Sequence, residues 1–144
     1  MPGRALWMLH PRGELVSAAE AEAADVQVVL LDGSWREAAR MAQTVGGWGK
    51  LVRLPLEAPS RYWLRKQQGE VSSSTIEALI HVLAVFGETE AATTMQLQFE
   101  LHVYAGLRAR GARVEADRFL STSPIREAYA ELLAKLHERR PLVL

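Results

Sequence analysis

The chain has 144 residues, 49% hydrophobic and 24% charged, with a formal net charge of zero at pH 7. That length suits one domain with a real core, and no apolar run approaches the roughly 18 residues that span a membrane. The absence of cysteine excludes a disulfide framework and a thiolate zinc site, and with no leader pattern after Met1-Pro2-Gly3-Arg4 the cytoplasm is the expected compartment.

Ala5–His10 is a short apolar run that reads as a strand, broken by Pro11-Arg12-Gly13. Glu14–Ala24 is rich in Ala and Glu and reads as a helix. Asp25–Leu31 is a Val/Leu run of the kind found in strands buried on both faces. Asp32-Gly33-Ser34-Trp35 is a tight polar turn, and Ser34 with Glu37 forms a capping box that opens the next helix. Ala38, Ala39, Met41, Ala42 and Val45 supply its apolar face, and Gly46-Gly47 ends it. Lys50–Leu56 reads as a third strand. Residues 58–74 carry Pro, Ser, Arg, Tyr, Trp, Gln and Gly without periodicity, a long loop of the functional or mobile type.

Ser74-Thr75-Ile76-Glu77 is a second capping box. It opens a helix with Ile76, Leu79, Ile80, Leu83 and Phe86 on one face, stopped by Gly87. A helix over Ala91–Arg110 places Met95, Phe99, His102, Val103 and Gly106 on one face and ends at Gly111. Ser123-Pro124 caps a last helix, with Pro at its favoured first position. The order predicts one α/β domain over 1–144. A small, mostly parallel sheet fills about 1–74 and a helical half about 75–144. The abrupt start in a strand reads as an N-terminally shortened chain.

Charge is segregated. Arg36, Arg40, Lys50, Arg53, Arg61, Arg65 and Lys66 face only Glu37 and Glu57 over the same stretch, whereas residues 67–107 carry five acidic side chains and no Lys or Arg. A local basic excess suits an anionic partner such as RNA; a solvated mixed-charge surface is the plainer alternative. Arg61-Tyr62-Trp63-Leu64-Arg65-Lys66 interleaves aromatics with cations, a pattern that suits single-stranded RNA. It equally suits aromatics packed down with arginines lying over them.

Asp32 stands where an α/β protein places a ligand, at the carboxyl end of a strand, although an ordinary turn aspartate fits the same four residues. The hydroxyls of 72–75 before a helix suit a carboxylate or phosphate as well as plain capping. No Gly-rich phosphate fingerprint is present. His10, His81, His102 and His137 lack metal-ligand spacing, so no metal site is expected.

The order of these segments is more specific than any one of them. Asp32-Gly33-Ser34-Trp35, with Arg36 and Met41 following, resembles the Asp-x-Thr-Trp signature of the DTW-domain family, with Ser in place of the usual Thr. Leu54-Pro55 with Pro59-Ser60-Arg61-Tyr62 resembles that family's second segment. Ser74-Thr75-Ile76-Glu77-Ala78 resembles its third, and Met95, Phe99 and 108–111 its C-terminal pattern. The resemblance covers roughly Leu6 to Gly111. Bacterial members often carry an N-terminal cysteine-rich segment, from which this chain departs.

The resemblance implies a tRNA-uridine aminocarboxypropyltransferase, which moves the 3-amino-3-carboxypropyl group of S-adenosylmethionine to N3 of a tRNA uridine. It implies a fold related to the knotted SPOUT methyltransferases and to rRNA-modifying aminocarboxypropyltransferases; whether this backbone is knotted stays open. Under it Asp32 is the general base or orients the uridine, and Trp35 packs against the ligand or the base. The cofactor is met by Leu31, Gly33 and Ser34, by Leu54, Pro55, Leu56 and Tyr62, and by Ser74, Thr75 and Glu77. Arg36, Arg40, Arg61, Arg65 and Lys66 meet RNA phosphates. The implied partner is tRNA, with no membrane and a monomeric chain. A SPOUT-type methyltransferase, or a non-catalytic RNA- or nucleotide-binding remnant, are the other readings.

Overall fold

A computed structural model describes residues 3–55, 59–64 and 74–137, leaving out the side chains of Trp35 and His137. Three strands form one parallel sheet in the order β2-β1-β3, with β1 (Ala5–Leu15) between β2 (Val26–Leu30) and β3 (Lys50–Arg53). Parallel strands need crossovers. Here these are α1 (Ala18–Glu22) and α2 (Trp35–Val45). After β3 the described elements are all helical: α3 (Thr75–Val85), α4 (Thr89–Ala109), α5 (Arg113–Ser121), α6 (Ile125–Ala128) and α7 (Ala130–His137). The expected small parallel sheet followed by helices is thus present.

Two compact units share the chain, Met1–Ser60 with Gly69–Thr93, and Arg61–Gln68 with Thr94–Leu144. In the first, Val16, Ala21, Val52, Leu54 and Val82 form a buried cluster, with Trp7, Leu9, Val28 and Leu30 packed on it. The core therefore lies between the sheet, α1 and α3. In the second, Val103, Tyr104, Ala116, Phe119 and Ile125 are the most deeply buried residues.

β1 does not stop at Pro11. It runs on to Leu15 through an irregularity in which both Leu9 and Glu14 pair with Val52. Pro11 has no N–H to give a ladder, and the His10 ring accepts the Arg12 N–H at 3.1 Å. Gly13 then lies so close to the Val52 backbone that a Cβ has no room. Because Glu14 and Leu15 are used by the sheet, the helix expected over 14–24 shrinks to α1. Its true start is a capping box of Ser17 and Glu20, a motif legible in the sequence. β2 is an edge strand with exposed Gln27 and otherwise half-buried residues, so burial on both faces does not hold.

The glycine stops at Gly87 and Gly111 are real. Both have positive φ, 81° and 75°. The following N–H groups close back on Leu83 and Leu107 in Schellman fashion. α5 has no start signal in the sequence, for its N-cap residue, Ala112, makes no side-chain cap bond. The last predicted helix is broken at Tyr129 into α6 and α7. Ser123 does bind a free N–H there, accepting from Ile125 at 3.3 Å.

Candidate functional site

β2 ends at Leu30, and the chain then makes the polar turn before α2. Ser34 is its N-cap with extended backbone, φ −64° and ψ 158°. The Ser34 hydroxyl and N–H donate to one Glu37 carboxylate oxygen at 2.6 and 2.8 Å. The Glu37 N–H donates back to Ser34 Oγ at 3.4 Å. The Ser34 hydroxyl first, and its backbone N–H second, hold the Glu37 carboxyl below its ordinary value. A Cβ on Gly33 would come within 3.1 Å of Glu37 Cβ and 3.3 Å of its carboxylate. Glycine thus leaves room for the cap.

α3 opens in the same way. Ser74 N–H and hydroxyl donate to Glu77 at 2.7 and 2.9 Å. The Ser60 hydroxyl adds a bond that spans both Glu77 oxygens, at 3.0 and 2.9 Å. Ser60 was missing from the expected site residues, although it stood inside the Pro-Ser-Arg-Tyr segment. Ser74 is buried and Glu77 half-buried, so this box is the better protected of the two.

A side-chain bond joins the two helix starts. The Thr75 hydroxyl donates to Asp32 Oδ1 at 2.6 Å. The two residues are 43 positions apart and both belong to the first unit. Within the first unit the start of α3 is therefore tied to both Asp32, through Thr75, and Ser60, through Glu77. Asp32, Gly33 and Ser34 are exposed, so the carboxylate is open to a ligand while one oxygen is held. The N–H groups of Thr75 and Ile76 have no partner among the described residues. They stand at the positive end of the α3 dipole.

Other expected site residues are placed differently. Leu31 and Pro55 are half-buried, and Leu54 is a member of the sheet core. Arg36 and Arg40 are exposed on α2. Trp35 is the first residue of α2; its side chain, with Leu56, Arg65 and Lys66, lies outside the described residues.

Arg61 and Tyr62 belong to the second unit and are built into it. The Arg61 guanidinium donates to Glu100 at 2.9 Å, to Thr122 at 2.8 Å and to the Phe119 carbonyl at 3.3 Å. It also lies 4.1 Å from the Phe119 ring centroid. Tyr62 stacks on Phe99 with centroids 6.0 Å apart, and Trp63 meets Phe119 edge-on at 5.3 Å. In its described part, then, the cation–aromatic segment is packed down. Glu100 is buried on the α4 face beside Phe99. A lone acid among apolar neighbours was the signal that it needed a cation.

His81 has a buried Nε2 with no hydrogen-bond partner among the described residues. Among the described residues no three His, Asp or Glu side chains form a metal-sized group, and no helix is long and apolar enough to cross a membrane.

A parallel sheet carrying a polar, carboxylate-bearing turn at a strand's carboxyl end defines the class: an α/β protein with such a turn where α/β folds commonly place ligands. A family model described as the DTW domain matches residues 2–107, and the chain belongs to the DTW-domain family. That membership is consistent with a role in tRNA modification. Comparison with curated proteins and with solved structures gives no match.

Proposed function

We propose that this chain transfers the 3-amino-3-carboxypropyl group of S-adenosylmethionine to N3 of a uridine in tRNA. The observation that carries the reading is the 2.6 Å bond from Thr75 to the exposed carboxylate of Asp32, which joins two of the family segments. A SPOUT-like relationship belongs to the same proposal.

The donor set suits S-adenosylmethionine. Its amino-acid end carries a carboxylate, which the free N–H groups and dipole of α3 favour. Ser74 and Glu77 are occupied by each other and by Ser60. They hold the helix start in shape, and the backbone of Thr75 and Ile76 meets the ligand. When bound, S-adenosylmethionine supplies an electrophilic γ-carbon beside a positive sulfur, which leaves as a neutral thioether.

Asp32 accepts the N3 proton of the uridine as the nitrogen–carbon bond forms and the carbon–sulfur bond breaks. The electron pair of that broken bond leaves with sulfur. Such a base must stand within hydrogen-bond reach of the proton it takes. Thr75 fixes one Asp32 oxygen and leaves the other for the base. Most of the acceleration is positioning.

Mass spectrometry of nucleosides from tRNA incubated with the protein and S-adenosylmethionine tests the reading. An aminocarboxypropyl uridine is expected from the wild type and none from Asp32→Ala, with the circular dichroism of the two alike. A methyl addition instead makes the protein a methyltransferase. No addition, with no binding of millimolar S-adenosylmethionine, makes it a non-catalytic module.

A further inference from the structure

α2 buries Ala42 and half-buries Ala38, Met41 and Val45, which leaves Arg36, Arg40 and Gln43 exposed. These three fall at i, i+4 and i+7, one row along the outer face. Neither arginine has a carboxylate partner among the described residues. Glu37, the one acid on the helix, is used by the cap at Ser34. Beyond the helix, Trp48 sits in a turn closed by its own N–H on the Val45 carbonyl at 2.8 Å. The residue is 69% exposed, more than Leu15, Leu132 or Leu136 and less than Val114. Tryptophan is rarely left so open.

We propose that the outer face of α2 is a track for unpaired RNA nucleotides, with Trp48 as a base-stacking platform at the end remote from Asp32. The proposal rests on the RNA-modifying reading above and adds to it a residue that neither motif nor family segment contains. Asp32 precedes the first turn of α2 and Trp48 follows its last. Eleven residues of helix separate them by about 16 Å. A nucleotide delivered to Asp32 thus has neighbours that pass the arginine row, where phosphates find cations. Trp48 then offers a flat apolar face, on which any base stacks. Among the described residues of α2 itself no large apolar side chain is exposed beside it. The chemistry is thus cations plus one ring, the signature of a strand of nucleotides and not of a protein core.

The test is equilibrium binding of an unmodified tRNA transcript to the full chain at fixed salt, with transfer to the same tRNA followed in parallel. Trp48→Ala is expected to bind about five- to a hundredfold more weakly, the range for loss of one stacked base. Trp48→Tyr is expected to keep most of the affinity. The double variant Arg36→Gln, Arg40→Gln is expected to flatten the salt dependence by about two phosphate contacts. All three are surface changes, and melting temperatures near that of the wild type will certify their fold. Wild-type affinity in Trp48→Ala, or equal loss in Trp48→Tyr and Trp48→Ala, overturns the platform. Where the wild type still modifies tRNA, such a result leaves the proposed function standing. Where the wild type neither binds nor modifies tRNA, both fall together.

Discussion

At the scale of single residues, the bond between Thr75 and Asp32 joins chain segments far apart in sequence. A hydrogen bond to a charged group contributes about 1.5–3 kcal/mol. If it orients the base, Thr75→Val lowers kcat about ten- to a hundredfold with a smaller change in KM, and Thr75→Ser restores it. Steady-state kinetics of the three proteins checks this; equal activity in all three would falsify the positioning role. Arg61 is a different case. Its side chain is 22% exposed and that of its partner Glu100 only 4%, so Arg61→Ala leaves a buried carboxylate without its cation, the Gln96 amide still donating to it. The expected loss is about 3 kcal/mol of stability, read as a fall in the denaturant midpoint. Arg61→Lys recovers only part of it, because an ammonium cannot make the fork of bonds or lie flat on Phe119.

At the scale of elements, the described helices that flank the site are started by serine–glutamate boxes. Ser74→Ala removes the acceptor for the Glu77 N–H and is expected to cost about 1 kcal/mol. The box at Ser34 carries a pH signature. Its Glu37 carboxyl titrates lower folded than unfolded. The unfolded chain therefore binds that proton first as pH falls. The stabilisation is present above the ordinary glutamate value near 4.5 and is lost as pH falls through the lowered one. Melting curves of wild type and Glu37→Gln should differ at neutral pH and draw together in acid. A gap that persists at low pH refutes the charge-based cap.

At the scale of the whole molecule, the site depends on a sheet of three strands held closely on one side. Gly13 touches the Val52 backbone, and Gly49 lies against Leu6 in the same way. Gly13→Ala overpacks the β1–β3 pairing and is expected to cost about 1–3 kcal/mol, measurable as a lower melting temperature. Elsewhere Gly87 and Gly111 have open space at the Cβ position, so only their backbone conformation restricts them.

Local chemistry alone determined much of this protein. The boxes at Ser34 and Ser74 each close within four residues, and the stops at Gly87 and Gly111 within one turn, so a reader of the chain meets every group that makes them. The family segments were legible for the same reason, as short runs of fixed spacing. Tertiary structure decided the rest, because it depends on partners distant in sequence. Pairing with Val52 carried β1 past Pro11 and shortened α1. Placement at the sheet edge half-exposed β2. Glu100 and Phe119 drew Arg61 and Trp63 into packing. Only the fold brought Thr75 to Asp32, since a bond across 43 residues leaves no trace in the local pattern of either turn.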